Sequence, residues 1–492
     1  MPPIYPPPFD ELHSISDLHL GGVPGAQTFN QGELLARTID HLRQKSPDKR
    51  MVLVINGDAV DFLIEPNPVY LDPDHAVNKL DHIFEEAAFA PFWQALTRYV
   101  QTPGRWLAVT LGNHDLELVL PAVRARFIEV LSGGDPAARG RITMALDGTG
   151  YSCTVGGAHV FCVHGNEVDT WNVADHDALR RVARDLNRGV TPEDWTPNAG
   201  TKMVIDIINY IKRDWPLIDF LKPEDKVVLP VIVALDPSQA KRVAGAAPIL
   251  LRLVGDSVRM RTGFLSADME EAVPPSEAEA LEHLMGGVFS SHDPTTTNVD
   301  DLLEMAEEGL DGGPAATPVR QSDDDEMLGM GSIIMDLIRK RSPVENLRDA
   351  LLEWLGDDRT FDFTAADSTF KLIDEKIGPD VDFVLTGHTH LEKALRRKNG
   401  RGAYFNSGTW IRLIQLTPEI LNDAPRFASI FKAFQGRTLQ ALDEEPGLVL
   451  LRPTVVSIEQ DDAGAFGELR RPTFEDGSLE LRSVEGSRHR AG

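Results

Sequence analysis

Cysteine is nearly absent from this chain: Cys153 and Cys162 are the only two in 492 residues. They stand nine apart in adjacent strand-like runs, outside every motif described below, so no thiolate is offered to a metal. They read as buried reduced thiols rather than a disulfide, and a cytoplasmic setting is the expectation. Long apolar runs are also lacking. None approaches the ~18 residues of a membrane span, and the longest, Val227–Leu235, is interrupted by Pro230. The opening stretch, MPPIYPPPFD, has neither a basic start nor an apolar h-region, so no secretory signal is expected. Positive charge is scarce: 49 basic against 76 acidic residues give −27. Such a balance does not suit a protein that holds nucleic acid by its general field. No internal repeat is visible.

What the chain does have is five short motifs rich in Asp, Asn and His. They read DLH (Asp17, His19), GDAVD (Asp58, Asp61), GNHD (Asn113, His114), HGN (His164) and GHTH (His388, His390). Each closes an apolar, strand-like run: Leu12–Ser16, Met51–Asn56, Leu107–Leu111, His159–Val163 and Phe383–Thr386. Loops at the carboxyl ends of neighbouring strands are where open α/β sheets gather ligands. Five such loops predict one convergent metal centre. Carboxylate, imidazole and amide donors suit a divalent first-row ion. In DLH the ligands are two apart, which on an extended chain puts both on one face. Two ions about 3.5–4 Å apart can clamp an anionic ester and acidify a bridging water. His114 directly follows Asn113 and is poorly placed to serve the same ion. That leaves it to act near the leaving group as a general acid.

The ordered set resembles the calcineurin-like metallophosphoesterase superfamily, over roughly residues 12–169 and 380–412. The resemblance implies an α/β fold, a four-layer α/β/β/α sandwich, here with a large, mainly helical insertion. It implies that Asp17, His19, Asp58 and His390 bind one metal and that Asp58, Asn113, His164 and His388 bind the other. His114 becomes the catalytic histidine beside the scissile ester. Two divalent ions are expected, Mn²⁺ foremost, with Fe, Zn²⁺, Co²⁺ or Ni²⁺ compatible with the same donors. Asp61 is followed by Phe62 and Leu63 rather than Arg-Gly, and the third motif is GNHD rather than GNHE. Both weaken a protein phosphatase reading. GHTH followed by Asn406-Ser407-Gly408-Thr409-Trp410 looks more like bacterial small-substrate phosphoesterases, distantly like UDP-2,3-diacylglucosamine pyrophosphatases. Those enzymes are shorter and commonly carry Arg where His114 stands.

The expected activity is hydrolysis of phosphate mono- or diesters of a small or lipid-linked substrate, by hydroxide that the metals activate. A nuclease of the same superfamily and a non-catalytic scaffold that binds a partner through the insertion are the alternatives. The oligomeric state is open. So are several side chains: Asp61 and Asp115 either orient a neighbouring histidine or cap a helix. Asn166, Asp169 and Asn172 either line the cleft or cap a loop.

Along the chain, residues 1–11 read as a flexible Pro-rich tail and 12–171 as the first part of the catalytic domain. Residues 172–379 read as a helical insertion, placed to form a cap over the cleft. Within it, about 268–326 reads as a disordered acidic loop, with seventeen acidic residues against Arg320 alone. Apolar stripes such as Leu179, Val182 and Leu186, then Val344, Leu347, Leu351 and Leu355, then Phe370, Ile373 and Ile377 predict helices. Residues 380–460 read as the second catalytic part, with a helix over Ala424–Leu442 and a strand over Leu448–Ile458. Residues 461–492 read as a polar tail.

Overall fold

A computed structural model describes residues 8–66, 69, 71–192, 195–198, 201–202, 209–236 and 343–492. The expected acidic loop and the first seven residues lie outside these. Strands β1 (Glu11–Ile15), β2 (Met51–Asn56), β3 (Arg105–Thr110) and β4 (Ile142–Ala145) run parallel, in that order. β2 reads MVLVIN and is buried throughout, as an unbroken apolar run in a doubly covered parallel sheet must be. Parallel neighbours need crossovers, and helices such as Gly32–Gln44 and Ala90–Gln101 supply them. Leu35, Ala36, Ile39 and Leu42 form the buried stripe of Gly32–Gln44.

A hairpin of β5 (Tyr151–Val155) and β6 (Ala158–Cys162) opens a second sheet. β7 (Leu221–Lys222) belongs to a separate unit described below. β8 (Phe383–Thr386), β9 (Glu392–Arg396) and β10 (Ala403–Ser407) complete the second sheet in the order β5-β6-β8-β10-β9. β11 (Leu413–Gln415) and β12 (Val449–Leu450) pair in the separate unit. β13 (Val455–Asp461), β14 (Gly464–Glu475), β15 (Ser478–Ser483) and β16 (His489–Arg490) then extend the first sheet. The inner faces share one core: Leu12, Val54 and Ile458 pack with Val160, Leu385 and Phe405. Cys153 and Cys162 lie in it as free thiols, and burial pushes Cys153 up to about 12. Helix Ser368–Lys376 covers the outer face of the second sheet with Phe370 and Ile373, against Val384, Leu395 and Tyr404. Helices outside two facing sheets make the α/β/β/α sandwich that the resemblance implies.

Several boundaries differ from those read in the sequence. The chain forms two compact units: Met1–Ile205, Arg359–Arg412 and Leu451–Gly492 make one, Asp206–Asp358 and Leu413–Leu450 the other. Helices His176–Asn187 and Ser368–Lys376, expected in the insertion, therefore belong to the sandwich. The second unit also takes residues expected in the catalytic part. Its described elements include helices Glu224–Leu235, Pro343–Trp354 and Ala424–Gln435 around the small sheet β12-β11-β7. Leu347, Leu351 and Leu355 are buried, as their spacing predicts. The helix expected over Ala424–Leu442 is two, because Gly436 ends the first and Thr438 caps the second by accepting from Ala441 N. Residues 461–492 are not a polar tail but strands. Their charges are paired: Arg470 donates to Glu459 of β13 at 2.6 Å and to Glu468 of its own strand at 2.7 Å, and Ser483 donates to Glu468 at 2.7 Å. Nor are residues 8–11, the described part of the expected tail, free. Phe9 is buried edge-on against Trp106, and its N–H donates to Thr154 O.

Candidate metal centre

Each motif follows a strand: DLH after β1, GDAVD after β2, GNHD after β3, HGN after β6 and GHTH after β8. Asn56, fully buried at the end of β2, ties the two sheets together at this end. Its Nδ2 donates to Val163 O and Leu385 O, and its Oδ1 accepts from Thr110. Nine described non-glycine residues have positive φ, and five are Asp17 (53°), His19 (46°), Asp58 (51°), His388 (71°) and His390 (62°). Left-handed backbone costs an L-residue of order 1–3 kcal/mol and persists where its surroundings over-determine it. The extended DLH expected from its spacing is therefore corrected. Asp17 and His19 are brought round by left-handed turns, not by strand alternation.

The side chains converge. One ligand atom each from Asp17, His19 and His390 lies within 4.8 Å of the other two, and the same holds for Asp17, Asp58 and His164. His19 Nε2 and His390 Nε2 face each other at 3.0 Å. Asp58 Oδ2 is 3.1 Å from His164 Nε2 and 3.7 Å from His19 Nε2. Asp17 Oδ1 is 3.5 Å from His390 Nε2 and 4.0 Å from His164 Nε2. Asn113 is buried, and among the described residues its Oδ1 has no hydrogen-bond partner. His388 is not in either three-residue group. Its ring stands 5.4 Å from that of His164, and its Nε2 is 2.8 Å from Asp169. His114 sits beside the cluster with Nδ1 3.0 Å from Asp61 Oδ2.

Close approach explains the glycines of these motifs. A Cβ on Gly112 would lie 2.1 Å from Asp58 Oδ1, and one on Gly387 2.4 Å from Asp17 Oδ2. Gly112→Ala is accordingly expected to displace Asp58, weaken metal uptake and cost about 1–3 kcal/mol of stability by overpacking. Elemental analysis and a urea titration check this; wild-type metal content and stability would contradict it.

The electrostatics fit a cation site. Burial raises the Asp17 carboxyl, and the neighbouring Asp58 charge adds to it. Burial opposes ionisation of Asp58 too, but His164 and His114 hold its carboxyl well below the usual range. Burial alone would lower His164, yet the Asp58 carboxylate and then Asp17 raise it to about 10. The proton on His164 thus supplies positive charge that the buried carboxylates demand and that cations can replace. The oxygen of Asn113, a neutral donor without a partner among the described residues, points the same way.

Orienting groups were only partly foreseen. Asp61 orients histidines, accepting from both His19 Nδ1 (3.2 Å) and His114 Nδ1. Asp115 instead holds backbone, accepting from Ala59 N and Gly112 N, and burial together with Asp58 raises it to about 7. Asn166 donates to Asn172 O, a loop contact. Ser16, whose Oγ donates to Asp17, and Thr409, which donates to Asp17 O at 2.7 Å, were not singled out. Ser and Thr carry no metal signature, so only their position beside DLH and in the segment after GHTH hinted at them.

No curated protein matches this chain. Residues 13–227 match the family model described as calcineurin-like phosphoesterase, which takes in the first four motifs and ends before GHTH. The matched stretch is thus similar to calcineurin-like phosphoesterases, a family of metal-dependent phosphoester hydrolases, and beyond it His390 converges on Asp17 and His19.

Proposed function

We propose that the protein is a dinuclear phosphoesterase that hydrolyses mono- or diesters of a small phosphorylated substrate. Asp17, His19, Asp58 and His390 would hold one ion and Asp58, Asn113, His164 and His388 the other, with Asp58 shared. The observation that carries this reading is the position of Asp58 Oδ2 between His19 and His164, imidazoles of the two sets. When bound, two divalent ions lower the pKa of a shared water and neutralise phosphoryl oxygens. The chain's own part is positioning. Asp17 is fixed by His388 N–H, at 3.0 Å to Oδ1. Asp58 Oδ1 accepts from His114 N at 2.9 Å, which sets the backbone that carries His114. Asp61 stabilises a protonated His114 ring, which can give its other proton to the departing oxygen. No helix among the described residues is long and apolar enough to cross a membrane.

Hydrolysis of p-nitrophenyl phosphate and bis-p-nitrophenyl phosphate with Mn²⁺ tests the activity and separates monoester from diester preference. A folded, metal-loaded sample inactive on both would overturn the reading.

Proton release offers a second check. The His164 proton, retained to about pH 10, must leave before that nitrogen can take an ion. Because the metal-free form is the protonated one, affinity is expected to rise with pH below that value. The slope should be about tenfold per unit for each proton displaced. Calorimetric titration at pH 7 in buffers of different ionisation enthalpy measures the proton count, and a count of zero would contradict the assignment.

A further inference from the structure

We propose that Asp169 is a positioning residue that fixes the ring of His388 and selects its Nδ1 as the metal-binding nitrogen. The inference rests on the dinuclear reading above. Asp169 Oδ2 lies 2.8 Å from His388 Nε2. A neutral imidazole has one donor and one acceptor nitrogen, and a carboxylate only accepts. The hydrogen therefore sits on Nε2, and the lone pair on Nδ1. The carboxylate is itself held. Asn172 Nδ2 donates to the same oxygen at 2.7 Å, and Trp171 N donates to Oδ1 at 2.9 Å.

His164 makes the opposite choice. Its Nδ1 is 2.8 Å from Asn56 O, a pure acceptor, which leaves Nε2 towards Asp58. The two imidazoles assigned to one ion thus present different nitrogens, each decided by its partner. A carboxylate behind an imidazole also raises its basicity as a ligand, which a backbone carbonyl does less. The partner comes from the turn that follows HGN, where Gly165 passes close to His388: a Cβ there would meet His388 Cβ at 3.3 Å. Motif four therefore supplies one ligand and the group that orients another.

The test uses the full-length chain and cobalt(II), with calorimetry and visible absorption as readouts. Wild type is expected to take up two ions. Asp169→Asn is isosteric and keeps an oxygen for Nε2–H, so it should fold, which a thermal melt verifies. It is expected to weaken one site about 10–100-fold and to leave the other within about twofold. The affected site should be the one lost in His388→Ala, and the double variant should bind no more weakly than His388→Ala alone. Two unaltered sites in Asp169→Asn would overturn the proposal. So would equal weakening of both, which marks a role in the fold, or additive losses in the double variant. If wild type itself takes up no cobalt, the dinuclear reading fails first, and its failure is seen before any variant is measured.

Discussion

Asp58→Ala is expected to lose both ions, whereas His19→Ala should lose mainly one. Asp58 Oδ2 stands 3.1 Å from His164 Nε2 and 3.7 Å from His19 Nε2, so one oxygen addresses both proposed ligand sets. Its removal also strips His164 of the charge that keeps it protonated, leaving a buried imidazole with little to hold a second cation. Each ion contributes several kcal/mol to charge neutralisation, and each 1.36 kcal/mol is tenfold in rate, so the activity loss should be about 10³-fold or more. Asp58 also accepts from His114 N, and alanine could disturb that loop. Asp58→Asn keeps an oxygen acceptor while removing the charge, and should lose both ions as well. Mass-spectrometric metal analysis of the folded variants decides. Two tightly held ions in either would refute the sharing of Asp58.

The candidate ligand types were legible because they sit where chain geometry forces a reader to look. Met51–Asn56 and Phe383–Thr386 read as strands and are strands, so GDAVD and GHTH had to be loops at strand ends. Asp61 was ambiguous because a carboxylate caps a turn as readily as it orients a ring, and here it does both: it accepts from Leu63 N and from two histidines. Asp169 was ambiguous for the same reason, since Trp171 N is a turn partner and His388 lies 219 positions away. The C-terminal strands escaped notice because their buried positions carry charge. Glu468 is 1% exposed, yet it accepts from Arg470, Ser483 and Arg488, so polarity there marks a paired network rather than solvent. The second unit was misjudged at its edges because it is assembled from two stretches, and helix periodicity says nothing about which core a helix joins.

His114→Ala should keep both ions and lose activity in proportion to the need for a proton on the leaving group. The ring is 16% exposed, with Nδ1 on Asp61, and edge-on to His19 at 4.7 Å between ring centres. It is thus within reach of solvent while being held by a carboxylate. Burial opposes ionisation of Asp61, but His114 and then His19 overcome it and keep its carboxyl well below the usual range. A carboxylate in contact favours the protonated imidazole, the form a general acid requires. General acid catalysis contributes about 10²–10⁴ in rate. That contribution matters most for an alkoxide, which departs poorly without a proton, and least for p-nitrophenolate, which departs readily. The expected result is therefore a loss of about 10²–10⁴ on alkyl phosphoesters, a much smaller loss on p-nitrophenyl esters, and unchanged metal content. Asp61→Asn should reproduce part of the same leaving-group dependence, because it removes the charge that favours protonated His114. Equal losses on both ester classes with metal retained would instead assign His114 to charge stabilisation or substrate positioning. Loss of an ion in His114→Ala would make it a ligand, and the proposed division of the histidines would fall.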